Sequence, residues 1–199
     1  MKVILFDFDG VIADTFSFCY RIINSRDSIT EEEYRARFEG NINNAPKKTS
    51  SNPTGPFDFF GQYTPELMRC QPNKEVADII KELAHDHVLI IISSTISQPI
   101  ADFLQRHGLK DSFKEILGND VEKSKVKKIQ DVLQRYSIKP EETIMVTDTL
   151  GDIKEAGECE VRCIAVTWGY HPAKTLQKGN PYKLVSNPKD LAKAISSME

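Results

Sequence analysis

Short, almost wholly apolar runs recur along the chain and alternate with stretches whose apolar residues are spaced three or four positions apart. The apolar runs lie at 3–6, 88–92, 115–117, 143–146, 161–166 and 183–185. Runs that do not alternate with polar residues indicate strands covered on both faces, as in a parallel sheet. The stretches with helical spacing lie at 76–83, 100–104, 126–136 and 191–198. This order predicts a doubly wound, Rossmann-like α/β fold with a parallel sheet.

Residues that favour helix ends support this assignment. Asn73 and Ser124 stand immediately before two of the helical stretches, where they can act as N-caps. Gly108 follows another helical stretch and predicts a C-terminal cap. Thr30 and Glu33 have the spacing of a capping box.

One long segment interrupts the alternation of strands and helices. It begins with an apolar helical stripe, continues into a second helix at Thr30, and then becomes rich in Asn, Pro, Ser and Gly over residues 40–56. That composition predicts a loop, which we expect to be mobile. An aromatic cluster at residues 57–63 follows. We interpret residues 14–72 as a small, mainly helical cap inserted after the first strand, with residues 1–13 and 73–199 forming the core domain.

Composition and charge exclude several classes of protein. The formal net charge is −3, and no long run of basic residues occurs. Short basic pairs such as Lys47–Lys48 and Lys127–Lys128 are interpreted as solvated surface. We therefore expect no nucleic-acid partner. No stretch approaches the ~18 apolar residues of a membrane span, so we expect no membrane association. The four cysteines form no CxxC pair, which argues against a zinc site or a disulfide framework and favours a reducing, cytoplasmic setting.

Polar side chains follow three of the predicted strands. Asp7 and Asp9 follow the first strand, Ser93 and Ser94 the second, and Asp148 the fourth. Because the carboxyl ends of parallel strands meet at one edge of a sheet, we expect these groups to converge there. Asp152 lies four residues after Asp148, across a turn into a helix, so the two carboxylates can approach each other.

The motifs around these positions resemble the haloacid dehalogenase superfamily, and most closely its phosphoglycolate phosphatase-type branch. DFDGVIADT at 7–15, IIISSTIS at 90–97 and TDTLGDI at 147–153 match the first, second and fourth motifs of that superfamily. Thr147 stands where the fourth motif usually has a glycine. The later AVTWGYHPAKTL at 165–176 also resembles this branch.

The resemblance implies the chemical roles of the acidic residues. Asp7 is the expected nucleophile, which takes the phosphoryl group as an aspartyl-phosphate. Asp9 is the expected general acid and base. Mg²⁺ is the expected cofactor, held by Asp7, the main-chain carbonyl of Asp9, and Asp148. Asp152 is expected to orient a metal-bound water or to hold the metal-binding loop.

The resemblance also implies a set of phosphate-binding residues. Ser93 and main-chain N–H groups near Ser94 and Gly10 are expected to hold the phosphoryl oxygens. One lysine must lie near the nucleophile. Counting back from the fourth motif favours Lys123, whereas the helix start at Ser124 favours Lys125. We prefer Lys125 as the catalytic lysine and keep Lys123 as the alternative and as a substrate-binding residue.

Taken together, the motifs predict a magnesium-dependent phosphatase that acts on a small phosphorylated metabolite. An aspartate at position 9 separates the phosphatases and phosphomutases of the superfamily from its dehalogenases. A phosphomutase, or a non-catalytic regulatory module on the same fold, are the alternatives. We expect a monomer or homodimer, and we expect substrate choice to depend on residues 14–72.

Overall fold

Six parallel strands form a single sheet in the computed structural model, which describes residues 2–45 and 57–197. The spatial order is β3-β2-β1-β4-β5-β6, so the first strand lies at the centre between β2 and β4. The strands are β1 (Val3–Phe6), β2 (Val88–Ile92), β3 (Glu115–Leu117), β4 (Thr143–Thr147), β5 (Arg162–Val166) and β6 (Lys183–Val185). The predicted fold class is confirmed. The predicted bounds differ at β4, which extends to Thr147, and at β5, which begins at Arg162.

Helices connect the strands and cover both faces of the sheet. They are α1 (Phe16–Asp27), α2 (Glu31–Ala36), α3 (Phe59–Leu67), α4 (Lys74–Leu83), α5 (Ser97–Arg106), α6 (Lys125–Tyr136), α7 (Leu150–Glu158), α8 (Ala173–Gln177) and α9 (Leu191–Ser196). The predicted caps are present. The side chains of Asn73 and Ser124 accept from the main-chain N–H groups of Val76 and Lys127. Thr30 and Glu33 form the capping box at α2.

Alternate residues of β1 face opposite layers of the core. Ile4 and Phe6 pack in one buried apolar cluster, while Val3 and Leu5 pack in the other. Successive side chains of a strand point to opposite faces, so a strand covered by helices on both faces needs apolar residues at every position. This double burial explains why the strand sequences show no alternation.

The inserted segment leaves and rejoins the core at neighbouring points. Ala13 forms an antiparallel bridge with Pro72, and the N–H of Asn73 donates to the carbonyl of Ile12 across 2.8 Å. The segment carries α1, α2 and α3, and α1 packs against α3. The two chain connections between the segment and the sheet therefore lie side by side. We keep the name cap for residues 14–72.

The loop predicted over residues 40–56 is anchored to the core at its start. Asn41 caps a short 3₁₀ turn at Ile42–Asn44, and Asn43 lies within this turn. The Asn41 amide donates to Glu155 across 2.9 Å, and the Asn43 amide donates to the carbonyl of Lys123 across 3.0 Å. Residues 46–56 of the loop lie outside the described residues.

Cys19, Cys159 and Cys163 are buried, Cys70 is half-buried, and all four are unpaired thiols. Within the described ranges, no helix combines the length and the apolar character that crossing a bilayer requires.

Candidate active site

A cavity of about 280 Å³ lies beyond the carboxyl ends of the central strands. Because the chain order reverses between β1 and its two neighbours, the connections at this point diverge and leave a crevice. Its core side includes Asp7, Asp9, Ser94, Thr95, Lys125 and Asp152. Its cap side includes Tyr34, Arg37, Phe38, Ile42, Phe59 and Phe60. Charged groups thus line the core side, whereas the cap contributes mainly aromatic and aliphatic groups.

Lys125 joins the first and fourth motifs. Its ammonium lies 3.0 Å from Oδ2 of Asp7 and 2.6 Å from Oδ2 of Asp152. All three side chains are buried. The remaining oxygen of Asp7, Oδ1, accepts from the N–H of Phe8 across 2.8 Å. The lysine predicted next to the nucleophile is therefore Lys125 by position.

The alternative lysine, Lys123, lies elsewhere. It precedes the N-cap Ser124 and therefore lies outside α6, and its side chain is exposed. Only its main-chain carbonyl takes part in the interface with the cap, where it accepts from Asn43. The structure therefore corrects the alternative, because Lys123 neither contacts Asp7 nor belongs to the cavity wall among the residues described.

Burial and mutual repulsion control the ionisation of the carboxyl groups. Burial raises the pKa of Asp7 well above its ordinary value, and although Lys125 opposes this shift, repulsion from Asp152 adds to it. Burial also disfavours the charge on Asp152, but attraction to Lys125 and hydrogen bonds to its carboxylate outweigh burial and lower its pKa. Burial likewise opposes the charge on Lys125, yet Asp152 and Asp7 raise its pKa above the ordinary value. Additional positive charge near Asp7 would therefore favour its carboxylate form.

Asp148 is fully buried and only half satisfied. Its Oδ2 accepts from the N–H of Tyr170 across 2.5 Å, whereas its Oδ1 is buried with no hydrogen-bond partner among the residues described. Burial raises the pKa of Asp148 to about 7, and repulsion from Asp152 contributes. A Cβ at Gly10 or Gly169 would lie 2.0 Å or 2.1 Å from Oδ2, so both glycines let the main chain approach this carboxylate.

The donor set fits an open magnesium site. Magnesium is usually bound through one or two carboxylates together with waters and substrate phosphate. The unpartnered Oδ1 of Asp148 and the nearby carboxylate of Asp7 match that pattern. Across residues 2–45 and 57–197, no three acidic, histidine or cysteine side chains form a closed metal cluster. Oδ2 of Asp152 is engaged by Lys125 and by the hydroxyl of Thr147, both at 2.6 Å.

Asp9 is held by two hydroxyl groups that were not among the predicted site residues. The hydroxyl of Tyr63, from α3 of the cap, donates to Oδ1 across 2.7 Å. The hydroxyl of Thr95 donates to Oδ2 across 2.7 Å. Although β1 ends at Phe6 and Asp9 lies in the turn beyond it, Asp9 and Asp7 line the same cavity.

The predicted phosphate-binding groups are only partly placed as expected. Ser94 lines the cavity, but Ser93 is fully buried and its hydroxyl accepts from the N–H of Thr95 across 3.0 Å. The N–H of Gly10 donates to the carbonyl of Ala13 across 2.8 Å. Gly10 is therefore required for close packing against Asp148 and does not present a vacant N–H to a phosphate.

Comparisons with known proteins identify the family of this chain. The sequence matches the family described as haloacid dehalogenase-like hydrolase over residues 4–166. It is 26% identical to phosphoglycolate phosphatase of Synechococcus elongatus, over 100% of this chain and 99% of that protein.

Solved structures show the same fold. A haloacid dehalogenase-like hydrolase of Streptococcus pneumoniae superposes with a TM-score of 0.76 at 19% identity, covering 100% of this chain and 99% of that one. CbbY from Rhodobacter sphaeroides, solved in complex with phosphate, gives a TM-score of 0.72 at 21% identity over 96% of each chain. The family match spans most of the chain, and it is consistent with the sheet order and with the Asp7–Lys125 pair. This protein therefore belongs to the haloacid dehalogenase-like hydrolase family, on its phosphatase branch.

Proposed function

We propose that this protein is a magnesium-dependent phosphatase that hydrolyses a small phosphate monoester through an aspartyl-phosphate on Asp7. The observation that carries the proposal is the position of Asp7, buried at the end of β1, facing the cavity and 3.0 Å from Lys125. A carboxylate in this setting is a nucleophile whose charge is balanced by a fixed cation.

The first half of the reaction transfers the phosphoryl group to the enzyme. A carboxylate oxygen of Asp7 attacks phosphorus, and the bond between phosphorus and the ester oxygen breaks. Asp9 donates a proton to the leaving oxygen, so that the alcohol departs neutral. Lys125 stays beside Asp7 and stabilises the negative charge on the phosphoryl oxygens. Tyr63 and Thr95 fix the orientation of Asp9 for this proton transfer.

The second half regenerates the enzyme. Asp9, now a carboxylate, takes a proton from a water molecule, whose oxygen attacks phosphorus. The bond between phosphorus and Asp7 breaks, and inorganic phosphate leaves. Asp9 ends protonated, ready for the next ester, so the same group acts first as an acid and then as a base.

Magnesium belongs in this proposal because the carboxylates and the substrate carry the same sign of charge. Asp7, the main-chain carbonyl of Asp9, and Asp148 would hold the ion. When bound, it supplies the positive charge that offsets repulsion between the carboxylates and a phosphate dianion. Asp152 contributes by holding Lys125 against Asp7, as the 2.6 Å contact with the lysine indicates.

The cavity favours a small substrate. Its volume of about 280 Å³ suits a compact leaving group beside the phosphate. The relative from Synechococcus elongatus, which matches over the whole chain, is named phosphoglycolate phosphatase and supports an ester of that size. The four unpaired thiols suit a reducing compartment, and we place the reaction in the cytoplasm.

The proposal is tested by phosphate release from p-nitrophenyl phosphate and from a panel of phosphorylated sugars, nucleotides and phosphoglycolate. We expect turnover in magnesium and none in excess chelator. Asp7→Asn should abolish turnover, because an amide cannot attack phosphorus. Asp14→Asn is the matched control, because Asp14 belongs to the same motif but is exposed. Near-normal turnover by purified Asp7→Asn would overturn the mechanism.

A further inference from the structure

A second lysine is buried one turn along α6 from Lys125. The side chain of Lys128 is 2% exposed. Its ammonium donates to three main-chain carbonyls, those of Ser93 at 2.7 Å, Gly118 at 3.1 Å and Leu117 at 3.3 Å. The Lys127–Lys128 pair was predicted to be solvated surface, and this prediction is wrong for Lys128, which is buried. Residues three apart on a helix share a face, so Lys128 follows Lys125 into the interior.

The acceptors around Lys128 match the protonated amine. In the part of the chain that the structure describes, no carboxylate lies within ion-pair distance of Lys128. A buried ammonium without an anion is costly unless its donors are satisfied. An ammonium has three N–H donors, and the site offers three carbonyl oxygens. A neutral amine has two N–H groups and a lone pair, which would face one of the carbonyls.

The three carbonyls belong to the ends of two adjacent strands. Ser93 follows β2, and Gly118 follows β3. The residues immediately beyond them, Ser94 and Asn119, line the cavity. A further hydrogen bond, from the N–H of Asn119 to the carbonyl of Thr95 at 2.9 Å, ties the same two turns together. Lys128 therefore fixes the turns that form one wall of the proposed phosphate site.

We propose that Lys128 is a positioning residue of the phosphoryl site, which holds the turns after β2 and β3 and whose buried positive charge strengthens the binding of a phosphate dianion. This inference rests on the proposed function, because it assumes that the phosphoryl group binds at Asp7. It assigns a second cationic residue to the site, one that acts through the main chain and through the electrostatic field without touching the substrate.

Ionisation of Lys128 gives the proposal a measurable consequence. Burial lowers the pKa of Lys128 to about 8, repulsion from Lys125 adds to this shift, and Asp7, Asp152 and Glu155 oppose it. The carboxylates of Asp120 and Glu122, in the turn before α6, also interact electrostatically with Lys128. The ammonium is present below this pKa and is lost above it. By linkage, any dianion that binds more tightly to the charged form must raise the pKa of Lys128 when it binds.

The first experiment uses wild-type protein in saturating magnesium, with inorganic phosphate as the probe. Lysine labelled with ¹³C at Cε allows the titration of each ammonium to be followed by NMR between pH 7.5 and 10. We expect the pKa of Lys128 to rise by about one unit when phosphate binds, which corresponds to an affinity about tenfold weaker for the deprotonated form. An unchanged pKa in a protein that binds phosphate would overturn the inference and leave the proposed function intact.

A pair of variants provides the second measurement. Lys128→Met removes the charge at nearly constant volume, and Lys127→Met is the control, because Lys127 is exposed on the same helix. We expect Lys128→Met to raise KM for p-nitrophenyl phosphate and to abolish the loss of phosphate affinity above pH 8. A purely structural role would lower affinity equally at every pH and would overturn the inference. If Lys128→Met does not fold, the wild-type titration decides. Absence of both turnover and phosphate binding in the wild type would refute the proposed function as well.

Discussion

The hydroxyl of Tyr63 donates to Oδ1 of Asp9 across 2.7 Å and so connects a cap helix to the turn after the central strand. The sequence separation between the two residues is 54 positions, and the tyrosine side chain is fully buried. Burial raises the pKa of Tyr63 well above its ordinary value, and the charge of Asp9 adds to this effect, so the phenol stays a donor. The cap therefore contributes directly to the orientation of the proposed acid and base.

Removal of the Tyr63 hydroxyl should slow the reaction without changing the shape of the site. We expect Tyr63→Phe to lower kcat by roughly tenfold, a part of the about 10²–10⁴-fold that acid and base catalysis contributes. KM should change little, because the hydroxyl contacts Asp9 and leaves the phosphate position unaltered. Steady-state kinetics with p-nitrophenyl phosphate would measure both values.

Tyr20→Phe is the matched control for this change. The Tyr20 hydroxyl also belongs to the cap, but it donates to the main-chain carbonyl of Ile29 across 2.9 Å, away from Asp9. If the two variants lost the same amount of activity, the loss would reflect general loosening of the cap, and the positioning role of Tyr63 would be rejected.

The fold was predictable because the sequence patterns that indicate its strands and helix ends are local. Each strand is a short apolar run, and the caps at Asn73 and Ser124 depend on residues only three positions apart. The predicted boundaries of β4 and β5 were each off by one residue. Thr147 and Val161 stand at strand ends, where main-chain hydrogen bonds can be satisfied whether or not the residue belongs to the strand. No local rule indicates where the cap residues meet the core.

The site was predictable only in part, for the same reason. Asp7, Asp148 and their motifs are contiguous in sequence, and the sheet brings them together. Tyr63 reaches Asp9 through a long-range contact that no local pattern signals. Gly10 was assigned to phosphate binding from the resemblance of its motif, but its N–H donates to the carbonyl of Ala13 within the turn. Thr95 was identifiable, since its hydroxyl belongs to the same motif as Ser94.

Stability without metal should fall as pH rises from about 4 to about 7. Burial raises the pKa of Asp148 to about 7 and also raises the pKa of Asp7. The folded state therefore holds protons that the unfolded state releases at lower pH. The resulting loss of stability is absent below the pKa of each group in the unfolded state and is complete above its pKa in the folded state. Asp152 has a lowered pKa, but its stabilising effect develops at more acidic pH.

Magnesium should reverse this loss. By mass action, an ion at a hundredfold excess over its Kd adds roughly 2.7 kcal/mol of stability. We expect magnesium to raise Tm more at pH 8 than at pH 5, where protonated carboxyl groups bind it poorly. Asp148→Asn should abolish most of the difference, because the amide imitates the neutral acid. Thermal melts in magnesium and in chelator would measure the effect, and an equal rise of Tm in both proteins would exclude Asp148 as a ligand.

The anchor between Asn41 and Glu155 should control access to the site. Glu155 is buried, and its Oε1 accepts from the Asn41 amide and from the N–H of Lys125. Asn41→Ala should weaken attachment of the cap and raise KM by a few-fold, since a typical intramolecular hydrogen bond contributes about 0.5–1.5 kcal/mol. Asn44→Ala is the control, because Asn44 is exposed. Limited proteolysis should cleave Asn41→Ala faster within residues 40–56, and equal rates in both variants would contradict the anchor.

Lys125 and Lys123 offer the sharpest comparison within the site, because the sequence left both as candidates. Lys125 is 3% exposed and contacts Asp7 at 3.0 Å, whereas Lys123 is exposed two residues earlier. Lys125→Met should lower kcat by about 10²–10³-fold, the range for removal of one preorganised donor to a developing negative charge. The substitution should also raise the pKa of Asp7 further, because in the wild type Lys125 opposes the effect of burial.

Lys123→Met should keep kcat near the wild-type value, since its main-chain carbonyl, which accepts from Asn43, is unaltered. Lys125→Met leaves Asp7 and Asp152 facing each other without a cation, so loss of stability must be separated from loss of catalysis. Thermal melts in saturating magnesium provide that separation, because the ion replaces part of the missing charge. The assignment would be reversed if folded Lys125→Met kept wild-type kcat while Lys123→Met lost it.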